Sequence, residues 1–338
     1  MHPDNAISSA DLPAIPSIDL VAFLEGSAEA QRAIAANVDE ICRRIGFLVI
    51  ENHGVPRNVI DGVWSTVSAF FDLPLDEKLK ARSPDPTCPR GYFPLAAEAL
   101  AKSLGVDTPP DLKESLGIGP RRAPPYAMAA EDREFHYGPN LWPASPARLR
   151  ESLTTYFEEM ETLGARLLRL FAAALAVRHD YFDRFHTHPM CALRCIRYPV
   201  SDGGQLPNQM GAGEHSDYGS ITILKPDPRV AGLEIRLPSG QWAAAPLVED
   251  AFIVNIGDMM ARWTNDRWVS TLHRVVSPGL DAGAFDRRQS IAFFHNASYD
   301  AEIECIPTCH DASQKPKYEP IQAGHYLAGR FKSAVTPA

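Results

Sequence analysis

Between residues 30 and 45, apolar side chains recur at Ile34, Val38, Ile41 and Ile45, the three- and four-residue spacing of one helix face. Gly46 ends that pattern, and the unbroken apolar run Phe47-Leu48-Val49-Ile50 predicts a short buried strand. Asn52-His53-Gly54-Val55-Pro56 reads as a turn, and a second helix is expected from about Arg57 to Phe71. Residues 82–145 are rich in Pro and Gly and show little period, so irregular structure is expected there, in the manner of a lid over a cleft. Pro146 suits the first turn of a long helix reaching about Val177. Its residues Leu149, Leu153, Phe157, Met160, Leu163, Leu167 and Leu170 form one buried stripe, suited to supporting a sheet.

From Met190 onward the texture changes. Short runs of β-branched and aromatic residues alternate with Pro, Gly, Asp and Asn, at 191–198, 220–224, 232–236, 252–256, 273–276 and 290–296. That spacing predicts an antiparallel sandwich or barrel, mainly β with surrounding helices. No internal repeat is visible. The expected organisation is an arm over residues 1–16, a helical and irregular portion over 17–145, and a support helix plus β core over 146–338. These parts interleave around one core and form one catalytic unit.

Composition narrows the function. The chain has 338 residues, 45% hydrophobic and 22% charged, enough for a large core. A net charge of −9 without a long Lys/Arg run disfavours nucleic acid and anionic membranes as partners. The N-terminus has no basic patch leading into an apolar run, and no stretch approaches the ~18–20 apolar residues of a spanning helix. A cytoplasmic protein is expected. The six cysteines are scattered. Cys191/Cys195 and Cys305/Cys309 are spaced C-x3-C, but without a paired His pattern they read as buried thiols rather than zinc ligands.

His215 and Asp217 lie two apart, just before the apolar run 221–224. In extended backbone, residues i and i+2 share a face, so an imidazole and a carboxylate can converge on one ion. His273 is the best third ligand, because it opens the apolar run Arg274-Val275-Val276, a candidate strand facing the first. Two His and one carboxylate leave the other side of an ion open, which suits Fe(II) and oxygen chemistry, although zinc accepts the same donors. The remaining histidines read as surface or hydrogen-bonded residues.

Arg288 and Ser290 share a face at the start of the last strong strand, where a guanidinium fork and a hydroxyl make a carboxylate receptor. Tyr198 can add its phenol to the same anion. An inward charge on a core strand needs a partner, whereas Arg287 reads as a surface ion pair.

With these residues in place, the chain resembles the Fe(II)- and 2-oxoglutarate-dependent oxygenases of the isopenicillin N synthase-like type. The likeness rests on Arg44-Ile45-Gly46-Phe47-Leu48-Val49-Ile50-Glu51-Asn52-His53-Gly54-Val55-Pro56, Phe70-Phe71-Asp72-Leu73-Pro74, Arg90-Gly91-Tyr92, Asp111-Leu112-Lys113-Glu114, Val254-Asn255-Ile256-Gly257-Asp258 and Ser270-Thr271-Leu272-His273-Arg274-Val275. It implies a double-stranded β-helix, or jelly roll, core. It also implies Fe(II) on His215, Asp217 and His273, with Arg288 and Ser290 on the distal carboxylate of 2-oxoglutarate. Ile196-Arg197-Tyr198-Pro199 is closer to isopenicillin N synthase itself, which uses no 2-oxoglutarate and holds a substrate carboxylate with the matching Arg and Ser.

The leading expectation is therefore a dioxygenase that hydroxylates a small organic substrate with O2 and 2-oxoglutarate, releasing succinate and CO2. An oxidase that needs no 2-oxo acid and a non-catalytic jelly-roll binding protein are the alternatives. The two-residue rule puts Arg194 and Ile196 on the face of Tyr198. Arg194 then meets either a substrate carboxylate or a structural acid such as Glu98 or Glu114, and both readings stay open. Arg90 and Tyr92 are candidates to close over the substrate, with Val275 and Phe294 also in the candidate substrate set.

Overall fold

The computed structural model describes residues 15–85, 87–199, 206–277 and 287–335. The core strands, in chain order, are β1 (Ser17–Asp19), β2 (Phe47–Glu51), β3 (Gly91–Phe93), β4 (Glu114–Ile118), β5 (Ala192–Pro199), β6 (Ala212–His215), β7 (Ile221–Lys225), β8 (Leu233–Arg236), β9 (Trp242–Ala244), β10 (Phe252–Ile256), β11 (His273–Val275) and β12 (Arg287–His295). They form a larger sheet in the order β1-β2-β10-β7-β12-β5-β4-β3 and a smaller one in the order β6-β11-β8-β9. Pairing is antiparallel throughout these two sheets except between β1 and β2. Phe47, Val49 and Ile253 of the larger sheet pack with Ala212, Leu233, Ile235 and Val275 of the smaller one in a single apolar cluster. This is the expected jelly roll.

The two faces of the larger sheet have different tasks, and β12 shows why. Its residues alternate sides, as the pleat requires. Ile291 and Phe293 enter the main apolar core, where Phe293 meets Phe157 edge-on at 5.0 Å. Arg288, Ser290, Ala292 and Phe294 turn the other way and line a cavity between the sheets. On β5, Leu193 and Cys195 join the core while Arg194, Ile196 and Tyr198 line the cavity.

The helix Leu149–Ala174 lies under the core face and buries the predicted stripe. It starts three residues after Pro146 and stops short of Val177. The helices Ala28–Arg44 and Arg57–Phe71 pack on it. The first begins at Ser27, whose hydroxyl accepts from the Ala30 N–H at 3.2 Å, and ends ahead of Gly46 at φ +66°. No described helix is long and apolar enough to cross a membrane. Cys42, Cys191 and Cys195 are buried thiols in the core.

Residues 82–145 depart from the irregular structure expected of them. They supply β3 and β4, which extend the larger sheet beyond β5, and the helix Ala130–Tyr137. These strands are three and five residues long and each contains a glycine, so their local pattern is faint. Pairing fixes them. The expected arm lies outside the described residues except at its end. There Ile15 is buried, and the Pro16 carbonyl accepts from the Val49 N–H at 2.9 Å.

Candidate metal centre

His215 ends β6 and His273 opens β11, and the ladder pairs the two directly. Their ring centroids are 4.3 Å apart. Asp217 is in the loop after β6 rather than in extended strand, so the two-residue rule places it only approximately. The loop returns its carboxylate to the histidines, with Oδ1 3.8 Å from His273 Nε2. One ligating atom from each of the three residues lies within 4.8 Å of the others, the only such trio of His, Cys, Asp or Glu among the described residues.

Each donor is held from behind. His215 Nδ1 is 2.7 Å from the Gly213 carbonyl, and His273 Nδ1 is 3.1 Å from the Thr271 carbonyl. A carbonyl can only accept, so Nδ1 carries the proton on both rings and Nε2 keeps the lone pair that a metal needs. Asp217 Oδ2 accepts from Thr222 Oγ1 at 2.5 Å and from Asn255 Nδ2 at 2.7 Å. Burial alone would raise the Asp217 carboxyl, but His273, His215 and these two donors hold it below the usual carboxylate range. Burial, helped by the neighbouring His273, pushes His215 down to about 3, so its imidazole is neutral. Imidazole nitrogens beside an ionised carboxylate suit a divalent ion well. Thr222 and Asn255 escaped the sequence reading, although a lone amide inside the apolar strand β10 is a signal that something polar must meet it.

The cavity beside this trio has a volume of about 240 Å³. Arg288 enters it from β12 and is 2% exposed, with its guanidinium 4.9 Å from the ring centre of Tyr198, the residue opposite it on β5. Arg288 Nε and Nη1 have no hydrogen-bond partner. A buried guanidinium in that condition calls for an anion. Ser290, Tyr198, Ile196, Val275 and Phe294 line the same cavity.

On the substrate side, Tyr92 needs correction, and Arg90 and Arg194 have partners within the protein. Tyr92 does not reach this cavity: its hydroxyl donates to Glu114 at 2.6 Å, beneath Lys78. Arg90 does line the cavity, but its guanidinium donates to the backbone carbonyls of Phe135, at 2.8 Å, and Glu134. It ties down the Ala130–Tyr137 helix instead of covering a substrate. Arg194 Nη1 pairs with Glu98 at 2.9 Å and its guanidinium stacks on Phe93 at 4.6 Å, the structural partner the sequence offered, while Arg194 also lines the cavity and its Nη2 has no hydrogen-bond partner. Sequence reasoning also missed Lys113, Leu327 and Phe331, which reach the cavity from distant segments.

Comparison with known proteins adds an independent line. Residues 15–145 match the family described as "non-haem dioxygenase in morphine synthesis N-terminal", and residues 187–297 match the 2OG-Fe(II) oxygenase superfamily. The 2-oxoglutarate-Fe(II) type oxidoreductase hxnY of Emericella nidulans is 33% identical over 325 residues, covering 94% of this chain and 90% of that one. A full-length Neurospora crassa protein, solved in complex with alpha-KG, superposes with a TM-score of 0.82 at 34% identity, over 94% of this chain and 96% of that chain. JOX2, solved with 2OG, Fe and JA, gives a TM-score of 0.75 at 28% identity, over 100% of this chain and 94% of that chain.

Proposed function

The chain belongs to the 2-oxoglutarate- and Fe(II)-dependent oxygenases, and from that premise we propose that His215, Asp217 and His273 hold the iron while Arg288, Ser290 and Tyr198 receive the distal carboxylate of 2-oxoglutarate. The protein is a dioxygenase acting on a small substrate. The observation that carries the residue assignment is the nearly fully buried, partly unpartnered Arg288 guanidinium in the same cavity as the open-faced trio. Iron and 2-oxoglutarate, when bound, supply the oxidising chemistry, with succinate and CO2 as co-products.

The protein's part is ligation, orientation and exclusion of water. The backbone carbonyls of Gly213 and Thr271 fix both imidazoles, and Thr222 with Asn255 aims the Asp217 carboxylate. Tyr198 and Ser290 flank Arg288 at the far end, where a bidentate contact suits a carboxylate. Apolar residues such as Ile196, Ala292 and Phe294 wall the space left for a substrate, whose hydroxylation we propose. The N-terminal portion and the barrel work as one catalytic unit, a reading supported by the shared larger sheet.

The substrate reading is an uncharged molecule. Arg194 pairs with Glu98, and Lys113 pairs with Asp111 at 3.0 Å and lies 3.7 Å from Glu98. These two cations and two anions cancel, and the third cation of this lining, Arg90, is bonded to the backbone carbonyls of Phe135 and Glu134. Beyond the one unbonded Arg194 nitrogen, Nη2, a substrate carboxylate would have to draw Arg194 from Glu98, or Arg90 from the Phe135 and Glu134 carbonyls, to gain a cationic partner. Oxygen uptake and succinate release, measured with Fe(II) and 2-oxoglutarate over matched acids and their amides or methyl esters, test this. The uncharged members should drive turnover, and a consistent preference for the acids would overturn the reading.

A further inference from the structure

The helix Ala323–Val335 borders the cavity, and its residues Leu327 and Phe331 line the wall from one helix face. Its start is pinned by the Ala323 N–H to the Ala301 carbonyl at 2.9 Å, the Gly324 N–H to the Tyr299 carbonyl at 3.0 Å, and His136 Nε2 to the Gly324 carbonyl at 3.1 Å. Further along, Phe331 meets Phe135 at 5.5 Å. Arg330 makes a contact of another kind. Its Nη2 donates to Asp258 Oδ2 at 2.6 Å, and its guanidinium stacks over the Tyr218 ring at 4.7 Å.

Tyr218 belongs to the metal loop, and Asp258 is bonded to it. Asp258 Oδ2 also accepts from Ser216 Oγ at 3.2 Å, and Ser216 sits between His215 and Asp217 in the chain. The Asp258 N–H donates to the carbonyl of Asp217 at 2.7 Å, and the Met259 N–H to that of Tyr218 at 3.2 Å. One carboxylate thus joins the C-terminal helix to the loop that presents Asp217. The same helix supplies two residues of the substrate wall.

We infer that Arg330 is a positioning residue that couples seating of the C-terminal helix over the substrate cavity to the geometry of the metal loop. Through Asp258 and Tyr218 it holds residues 216–218 in the form that presents Asp217 to the ion. Coupling of this sort is reciprocal: if the seated helix favours metal binding, bound metal must favour the seated helix. Leu327 and Phe331 then close on the substrate when the metal site is filled. The inference rests on His215, Asp217 and His273 being the ligands, and a His215→Ala control that loses Co(II) binding checks that assignment separately.

The test uses the full chain, stripped of metal, with Co(II) as the probe under anaerobic conditions. Co(II) affinity is measured by titration for wild type, Arg330→Ala, Arg330→Lys and Asp258→Asn. Amide hydrogen exchange across 323–335 is followed with and without Co(II) and 2-oxoglutarate. Arg330→Ala and Asp258→Asn should weaken Co(II) binding by about tenfold, inside the ~5–150-fold span of coupled sites, and Arg330→Lys should recover most of it. In wild type, ligands should slow exchange in the helix, and in Arg330→Ala that slowing should vanish. A residue that merely stabilised the fold would not produce the ligand-dependent part. Unchanged Co(II) affinity in Arg330→Ala, or wild-type exchange in 323–335 that ignores the ligands, would overturn the inference. The wild-type exchange comparison decides the matter even if Arg330→Ala fails to fold.

Discussion

His273 stands directly across the β6–β11 ladder from His215, with 4.3 Å between the imidazole centroids. The two ligands farthest apart in sequence are thus brought together by strand register. Asp217 has no such help. It leaves the strand and depends on Thr222 and Asn255 for its aim.

That dependence gives the first prediction. Asn255→Leu removes one of the two side-chain donors to Asp217 Oδ2, and loss of an outer partner to a metal ligand typically costs ~10–100-fold in affinity. Titration of the metal-free protein with Co(II) should show a loss in that range. Affinity within twofold of wild type would mean that Asn255 does not orient the carboxylate.

Arg288→Gln should weaken 2-oxoglutarate binding by roughly tenfold to a hundredfold, the worth of ~1.5–3 kcal/mol for a hydrogen bond to a charged group. Calorimetric titration with the Co(II)-loaded protein reads it directly. Wild-type affinity in this variant would move Arg288 to a substrate carboxylate and revive the oxidase alternative.

The candidate anion receptor was legible because Arg288, Ser290 and Tyr198 follow a period of two, which a strand enforces whatever surrounds it. His273, Arg288, Ser290 and Tyr198 lie on strands that the apolar pattern marks or adjoins, whereas β6, which carries His215, has no such pattern, and Asp217 lies in the loop beyond it. The rest of the site comes from contacts that no local pattern encodes. β3 and β4 are strands by virtue of pairing with β5, so the Pro- and Gly-rich stretch hid them. Arg194 was placed on the right face, but its partner could be chosen only once Glu98 was seen beside it. Tyr92 carries a family-like motif yet turns to Glu114, away from the cavity. Leu327, Arg330 and Phe331 reach the site from a helix far along the chain, whose amphipathic spacing says nothing of what it covers.

Acid should destabilise the fold through buried histidines. His295 and His136 are buried, and the half-buried His186 stacks on His295 at 5.0 Å. Burial lowers His186 and His136 to about 4 and drives His295 well below its ordinary value. The unfolded chain binds these protons near pH 6.5 and the native state does not, so stability falls as pH drops from about 6.5 toward 4, by up to ~1.4 kcal/mol per pH unit for each fully buried ring. Urea midpoints at pH 7.5 and 5.5 check this, and equal midpoints would contradict it.

Gly164→Ala should destabilise, against the usual helix preference for alanine. Gly164 lies inside the Leu149–Ala174 helix, and a Cβ there would fall 2.8 Å from Cγ of the buried His295 ring. Intrinsic propensity favours the change by ~1 kcal/mol, but overpacking of this kind costs ~1–3 kcal/mol, so a net loss of stability is expected. A raised thermal midpoint would show that the His295 ring moves aside freely.

The most direct test of the metal assignment is 2-oxoglutarate-dependent succinate formation with limiting Fe(II), compared between wild type and His215→Ala, Asp217→Ala and His273→Ala. Wild type should form succinate only when Fe(II), O2 and 2-oxoglutarate are all supplied, and each variant should lose it. Any one variant that forms succinate at the wild-type rate would contradict the assignment of that residue as an iron ligand.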